Sequence, residues 1–328
     1  MHATLLCLCA AVLGAAAQSR LLDSTGNVLT LFDEFSKIQF TVLTNSRNAS
    51  FPIHNASDLL ADPSFDASKP TVLYIHGYLE SQDSDSVGKM ARAFQRRGEH
   101  NFVLVDWSQY VGAPYLSAHL RVTAAGAAVA GAVHLMVDNG LSREGFWPIG
   151  HSLGGQLAGV MAKYLNFKPY RITGRQWARR PFWVDVIHTD SGVFGSDRNE
   201  GTVDFWPNGG RRTQPGCSVS QTGSPSDSLL FCSHQRSWEF FAESVNDETA
   251  FPAVSCRSWL AFQRGSCPPN DSNVVYMGFP APAAHQRGVF YLRTGGVSPF
   301  GLGEEGDRPE KVVVAATSTT TESTGRLG

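Results

Sequence analysis

The chain has 328 residues, of which 42% are hydrophobic, and a formal net charge of −2 at pH 7. This length and apolar content are sufficient for one large α/β domain or two small ones. A net charge so close to zero argues against nucleic acid as the main partner and gives no long-range attraction to anionic membranes.

The N-terminus is a short apolar run that ends in small residues, Ala15-Ala16-Ala17. This pattern predicts a cleaved signal peptide over residues 1–17 and a secreted, extracellular product. No later stretch is interpreted as long and apolar enough to cross a bilayer, so no transmembrane segment is predicted. Sequons at Asn48, Asn55 and Asn270 favour N-glycosylation on surface loops of a secreted protein.

Apolar strands alternate with helices in the first half of the chain. The pattern predicts strands over residues 38–43, 71–75 and 102–105, and helices over residues 87–97 and 118–137. On the second helix, the predicted packing side consists of Leu120, Ala124, Ala127, Val129 and Leu135. Alternation of this kind predicts an α/β fold with a mostly parallel central sheet, right-handed crossovers and helices on both faces.

The segment from Gly145 to Met161 contains a short apolar strand, then Gly150-His151-Ser152-Leu153-Gly154, then a helix rich in small residues. Glycines on both sides of Ser152 allow a sharp turn from strand to helix, which is the setting of a nucleophile elbow. The alternative is a serine whose hydroxyl is hydrogen-bonded within a tight turn. The strand before the motif and the helix after it favour the elbow.

The second half of the chain continues with an apolar strand over residues 183–189, which is followed directly by Asp190. The carboxyl end of this strand is expected to lie near that of the elbow strand, since both belong to a parallel sheet. A helix is predicted to begin at Ser233-His234 and to run to Val245, and a further strand covers residues 288–292. The folded domain is predicted over residues 18–302, followed by a disordered Ser/Thr-rich tail over residues 303–328.

Loss of the signal peptide leaves four cysteines, Cys217, Cys232, Cys256 and Cys267. An even number in an exported chain favours two disulfides over buried free thiols. Pairing of neighbours, Cys217 with Cys232 and Cys256 with Cys267, closes two short loops and is preferred, although four cysteines allow three connectivities.

These motifs together resemble the pancreatic-type lipases, and within that family the single-domain arthropod and phospholipase A1-like members. The matches occur in family order from about residue 31 to residue 300 and comprise His76-Gly77-Tyr78, Phe102–Trp107, Gly150–Gly154, Val184–Thr189, Asp204–Gly210, Gln214–Cys217 and Cys232-Ser233-His234. The resemblance implies an α/β-hydrolase fold and a secreted serine ester hydrolase that cleaves acyl esters of lipids, of the phospholipase A1 or triacylglycerol lipase type.

The resemblance also implies a role for each matching site residue. Ser152 corresponds to the nucleophile and His234 to the general base, which takes the serine proton and returns it to the leaving alcohol. The backbone amides of Tyr78 and Leu153 correspond to the oxyanion hole.

The loop between Cys217 and Cys232 corresponds to the lid over the site, and it ends in the apolar run Leu229-Leu230-Phe231. This loop and the segment over residues 191–201 are short, and in this family short versions of both resemble phospholipase A1. The implied partner is a lipid substrate at an interface or in a micelle. No colipase is expected, because the C-terminal β-sandwich of longer relatives is absent.

The chain departs from the family pattern at the acidic triad member. The family has this aspartate just after the position of Ile172-Thr173-Gly174, followed by a calcium-binding acidic stretch. Here the nine residues Arg175–Trp183 take that place and none of them is acidic, so the usual acid, the calcium ligands and any cofactor are predicted to be absent. Asp190 is the tentative replacement acid; Asp185 is less favoured within its strand, and Asp204 is interpreted as structural.

The missing acid leaves two function hypotheses. The first is the lipid ester hydrolase, acting through an acyl-enzyme on Ser152. The second is a catalytically impaired lipid-binding or storage protein on the same fold. The feature that separates them is whether a carboxylate reaches His234, because an unsupported histidine can take the wrong tautomer.

Overall fold

The computed structural model of the protein describes residues 28–112, 114–174, 183–218, 227–281 and 286–310. The predicted signal peptide, most of the segment Arg175–Trp183 and the last 18 residues of the predicted tail lie outside these ranges.

The described residues form one sheet of eleven strands. They are β1 Gln39–Leu43, β2 Asn48–Pro52, β3 Thr71–Ile75, β4 Asn101–Asp106, β5 Trp147–Gly150, β6 Ile172–Thr173, β7 Val184–Ile187, β8 Val203–Pro207, β9 Pro252–Ser255, β10 Val274–Tyr276 and β11 Gly288–Leu292. Their spatial order is β10-β9-β11-β8-β7-β6-β5-β3-β4-β1-β2. The run from β11 to β4 is parallel, and both edges are antiparallel.

Helices cover both faces of this sheet. They are α1 Val28–Glu34, α2 Asp85–Arg97, α3 Ser108–Val111, α4 Tyr115–Asp138, α5 Leu153–Tyr164, α6 Asp227–Ser244 and α7 Trp259–Gln263. One core contains α4 and α5, and another contains α2 and α6. Strand β3 contributes to both, because Leu73 and Ile75 pack in the first core and Val72 and Tyr74 in the second. A strand buried on both faces has the continuous apolar sequence seen here, and the predicted α/β fold is confirmed.

Helix α4 differs from its sequence-based interpretation in two ways. Its length and apolar composition are those of a possible membrane span, but 67% of that window is buried inside the protein, as in a core helix. The predicted packing side is partly wrong, since Leu120 is 71% exposed and Leu135 37% exposed. The helix is apolar almost all round, so the sequence does not define one face. Of the predicted residues, Ala127 and Val129 are buried, and the buried side also carries Val122 and Val133.

Both preferred disulfides are present. Cys217 pairs with Cys232 and Cys256 with Cys267, with Cα–Cα distances of 5.6 and 5.7 Å. Cys232 lies within α6, which begins at Asp227. The prediction that this helix begins at Ser233-His234 is therefore wrong, and His234 lies in its second turn. The disulfide joins the helix to the chain that follows β8.

Part of the predicted tail lies against the domain. Gly303–Glu305 form one 3-10 turn, and the amide of Arg293 donates to the carbonyl of Gly306 at 2.7 Å. The Arg293 side chain also donates to the carbonyls of Glu305 and Arg308. Residues 303–310 therefore belong to the structured domain.

Candidate active site

Ser152 lies in a strained turn between β5 and α5. Its φ of 55° and ψ of −121° are unusual for a residue with a side chain. A Cβ on Gly150 would lie 2.3 Å from the carbonyl oxygen of Gly154, and one on Gly154 would lie 2.1 Å from that of Ile75. Only glycine fits at these two positions, so the two glycines of the motif permit the elbow geometry.

The loop after β3 lies directly against the elbow. In the parallel ladder Ile75 is opposite Gly150, so the residues that follow each strand are neighbours. A Cβ on Gly77 would lie 2.9 Å from the Cβ of Ser152. Leu153 is the first residue of α5, where a helix amide has no partner within the helix. These positions put the predicted oxyanion residues, Tyr78 and Leu153, close to Ser152.

Ser152 and His234 line two adjoining cavities of about 370 Å³ each, a size typical of small-ligand sites. The first cavity also contains Asp190 and Tyr115, and the second contains Tyr78. The structure thus brings the predicted nucleophile, base and replacement acid, and the oxyanion loop of residues 76–80, to one place.

His234 is almost completely buried on α6, and its side chain is 12% exposed. Its ring centroid is 5.0 Å from that of His151 and 5.7 Å from that of Phe194, whose ring meets it edge-on. Among the described residues, Nε2 has no hydrogen-bond partner, so Ser152 and His234 are not hydrogen-bonded in this conformation. Such catalytic contacts often become short only when substrate binds.

Asp190 is the carboxylate that comes within 4 Å of His234 in the described part of the chain. Its Oδ2 is 3.9 Å from Nδ1 of His234. The carboxylate is buried, and it accepts hydrogen bonds from Nε and Nη2 of Arg212 at 2.6 and 2.7 Å. Arg212 also donates to the carbonyl of Leu230 at 3.1 Å. Asp190 therefore faces the imidazole while both of its oxygens are bound to a cation.

The other two candidate acids are held elsewhere. Asp185 forms a fully buried ion pair with Arg171 at 2.6 Å and accepts from the hydroxyl of Thr173. Asp204 accepts from Nε2 of His188 at 2.8 Å and from two backbone amides of the loop before β8. Both carboxylates therefore stabilise the sheet and the loops next to it. The position of the family's usual acid, after Gly174, lies outside the described residues.

Two aromatic rings line the second cavity beside His234. Phe231, at the end of the predicted lid, stacks on Phe194 with ring centroids 4.9 Å apart. Leu230, the preceding residue, is 46% exposed. The lid residues 219–226 lie outside the described ranges. No group of three or more His, Cys, Asp or Glu that could hold a metal ion occurs among the described residues.

The surroundings of His234 hold its imidazole in the neutral form. Burial is the largest cause, and the charge of His151 acts in the same direction; Glu80 opposes them, and the charge of Arg212 adds a smaller lowering effect. Together they lower the pKa of His234 from 6.5 to about 3. A neutral imidazole is the form that accepts a proton from a serine hydroxyl.

This pKa makes stability depend on pH. The unfolded chain takes up a proton at His234 as the pH falls through about 6.5, whereas the folded protein does not until about pH 3. The free energy of unfolding is therefore expected to decrease through this interval as acid is added. In His234→Gln, the free energy of unfolding measured in urea is expected to change less steeply with pH than in the wild-type protein. Between pH 6.5 and 4 the slope should be smaller by up to about 1.4 kcal/mol per pH unit. Equal slopes for the two proteins would contradict this assignment.

Sequence reasoning missed two partners of the site. Arg212 follows the turn after β8, and the strand order places it beside the end of β7 and so beside Asp190. Glu80 follows β3, and its Oε2 is 2.9 Å from Nδ1 of His151 in the elbow. For Glu80 the available signal was that it follows the carboxyl end of a predicted parallel strand, where functional groups gather. The strand before Arg212, β8, was not predicted.

A parallel sheet with helices on both faces, and a serine at the turn from a central strand into a helix, defines an α/β-hydrolase fold. The sequence model of the family described as Lipase matches residues 20–300, and the chain belongs to this family. The predicted resemblance to pancreatic-type lipases is confirmed.

Curated relatives include pancreatic triacylglycerol lipase of Sus scrofa, 29% identical, and pancreatic lipase-related protein 2 of Cavia porcellus, 30% identical. Inactive pancreatic lipase-related protein 1 of Homo sapiens is 29% identical. Each match covers 80% of this chain and 66%, 65% and 64% of the respective relative. The chain thus spans just under two thirds of their length.

Similar solved structures include a phospholipase/carboxylesterase from Dyadobacter fermentans, 16% identical with a TM-score of 0.27, covering 43% of this chain and 67% of that one. Another is a hyperthermophilic esterase from the archaeon Pyrobaculum calidifontis, 20% identical with a TM-score of 0.25. That match covers 49% of this chain and 56% of the esterase.

Proposed function

We propose that this protein hydrolyses acyl esters of lipids through an acyl-enzyme on Ser152. The observation that supports this most directly is the elbow conformation of Ser152, with a neutral, buried His234 in the same cavity. Strain of this kind is retained at sites where a side chain must be presented in a fixed direction. Membership of the Lipase family supports the same reaction class.

In the proposed reaction, Nε2 of His234 accepts the proton of Ser152 as Oγ attacks the ester carbonyl carbon. The amides of Tyr78 and Leu153 donate to the oxyanion of the tetrahedral intermediate. The intermediate expels the alcohol, which takes the proton from His234, and leaves the acyl group on Ser152. Water then attacks the acyl-enzyme with His234 again as the base, releasing the fatty acid. Asp190 stabilises the imidazolium formed in both steps.

A lipid aggregate is the partner that the surroundings of the cavity favour. Several large apolar side chains are exposed at the cavities. Leu79 lines the second cavity, and four others are adjacent in sequence to lining residues: Leu116, Leu120, Val193 and Leu230. Exposed apolar side chains close to a cavity mouth are typical of a surface that contacts lipid. The proposed substrate is therefore a phospholipid or neutral glyceride in an interface or micelle.

Secretion belongs to the same proposal. The two disulfides are typical of an oxidising compartment, and the apolar N-terminal run supports export. The three sequon asparagines, Asn48, Asn55 and Asn270, are exposed, which is the accessibility that glycosylation requires.

The contacts of Asp190 favour a second candidate function. Both of its oxygens are bonded to Arg212, and Nδ1 of His234 is 3.9 Å away, beyond hydrogen-bond distance. A protein that keeps this geometry with substrate present would bind lipid without cleaving it. The name of one relative includes the word inactive, so both outcomes are consistent with this family.

Fatty-acid release separates the two candidates. Purified protein and Ser152→Ala are incubated with phosphatidylcholine vesicles and, separately, with a triacylglycerol emulsion. Release by the wild-type protein alone supports the hydrolase, and the preferred lipid distinguishes a phospholipase from a triacylglycerol lipase. If both proteins co-sediment with the vesicles and neither releases fatty acid from either lipid, the second candidate stands and the hydrolase is excluded.

A further inference from the structure

A second buried carboxylate and histidine lie beside the proposed catalytic residues. Nδ1 of His151 and Oε2 of Glu80 are 2.9 Å apart, and the two side chains are 8% and 16% exposed. Nε2 of His151 is buried and has no hydrogen-bond partner among the described residues. The mechanism proposed above gives neither side chain a role.

One oxygen of Glu80 connects two segments of the site. The same Oε2 that contacts His151 also accepts a hydrogen bond from the amide of Gly77. His151 belongs to the elbow and precedes Ser152, whereas Gly77 precedes Tyr78, whose amide is proposed to bind the oxyanion. A Cβ on Gly77 would lie 3.1 Å from Nδ1 of His151, so there is little space between the two segments. Glu80 therefore contacts both the segment that precedes Tyr78 and the segment that precedes Ser152.

The charge state of Glu80 suits this task. Burial alone would raise its pKa, but the charge of His151 and hydrogen bonds from His151 and the Gly77 amide outweigh burial and lower the pKa to about 2. The side chain is therefore a carboxylate at neutral pH, and it serves as a fixed acceptor. Hydrogen bonds to an ionised acceptor are about twice as strong as neutral ones.

We propose that Glu80 is a positioning residue, which holds the oxyanion loop, residues 76–80, against the nucleophile elbow through the Gly77 amide and His151. An oxyanion hole acts only when its donors are held where the negative charge develops. A displacement of about 1 Å costs about a hundredfold in rate. The expected effect on the rate of ester hydrolysis rests on the function proposed above. The expected effect on the position of the oxyanion loop does not.

Amide hydrogen exchange tests the structural part. In Glu80→Ala, exchange of the Gly77 amide and its loop is expected to become at least about tenfold faster, because the amide loses its acceptor. Strand β3, Thr71–Ile75, is expected to keep its wild-type exchange. Asp83→Asn is the matched control, since it removes an exposed carboxylate from the same connection between β3 and α2, outside residues 76–80, and should leave exchange unchanged. Unchanged exchange in Glu80→Ala overturns the proposal, whether or not the wild-type protein reacts with esters.

Steady-state kinetics test the consequence for catalysis. Glu80→Ala is expected to lower kcat for ester hydrolysis by about a hundredfold, with KM nearly unchanged, because the oxyanion contact is made only in the transition state. Glu80→Gln retains an acceptor oxygen and is expected to recover part of this loss. It also replaces the alanine variant in both experiments if the alanine variant fails to fold. A normal kcat in a folded Glu80 variant with a faster-exchanging loop would overturn the catalytic role. Absence of hydrolysis by folded wild-type protein would instead refute the hydrolase, and exchange would still decide the role of Glu80.

Discussion

Replacing Ser152 by Ala is expected to lower kcat for lipid ester hydrolysis by about a millionfold, the loss seen when the nucleophile of a comparable triad is removed. The elbow itself is expected to survive. Alanine removes only Oγ, and Ser152 makes its structural contacts through backbone atoms, such as the carbonyl that accepts from Gly155 at 3.0 Å. Turnover and thermal melting of the purified variant measure the two effects separately.

Ser142→Ala provides the control for this change. Ser142 is exposed in the loop before β5, and its hydroxyl donates to the carbonyl of Glu144, two residues away, at 3.1 Å. Its replacement should leave turnover at the wild-type level. Residual hydrolysis by Ser152→Ala within about tenfold of wild type would place the chemistry on another residue, because such a loss is far smaller than removal of a nucleophile causes.

The second large effect is expected for Asp190→Asn, which should lower kcat by about ten-thousandfold, as loss of the orienting aspartate does in serine proteases. His234 must carry a positive charge in the transition state, and the surroundings of its ring oppose that charge. Glu80 offsets part of this effect, and in the proposed mechanism Asp190, with Oδ2 at 3.9 Å from Nδ1, stabilises the remaining charge. A loss below about tenfold would show that Asp190 does not act as the triad acid.

Arg212→Gln separates the two contacts of Asp190. The variant removes the cation that bonds both carboxylate oxygens and leaves Asp190 free to accept from His234. It also removes a charge that lowers the pKa of His234. Its kcat is therefore expected to equal or exceed that of wild type, while Asp190→Asn loses activity. If both variants lose activity and both melt at lower temperature, the Asp190–Arg212 pair is structural.

Local signals were sufficient to predict the elbow. Gly150 and Gly154 are required by contacts with chain segments already close in sequence or in the adjacent strand, and the apolar strand and helix beside them are readable from periodicity. The parallel sheet followed from the alternation of strands and helices in the same way. The disulfide pairing was also predictable, because neighbouring cysteines close short loops.

Features that depend on strand order were not predictable from the residues alone. Arg212 reaches Asp190 across 22 positions in sequence, and Glu80 reaches His151 across 71 positions. Neither pair has a local pattern. The prediction of the packing side of α4 was partly wrong for a related reason. A helix that is apolar almost all round can pack in several rotations, and tertiary contacts select one of them.

The start of α6 was predicted at the wrong residue, because a disulfide cysteine lies within the helix. Cys232 suggested the end of a loop, whereas the helix continues through it from Asp227. The consequence is functional, because His234 is fixed by a helix turn on either side instead of standing at a frayed end. A base on a continuous helix is held more accurately than one on a loop.

Covalent labelling with a fluorophosphonate tests the central claim most directly, since the reagent reacts only with an activated serine and does not depend on the choice of lipid. We predict a single adduct on the folded wild-type protein, found by mass spectrometry on the peptide that contains Ser152, with no adduct on Ser152→Ala and greatly slowed labelling of His234→Ala. An unlabelled wild-type protein with a normal melting transition, or an adduct on a different residue, would contradict the claim that Ser152 is the nucleophile.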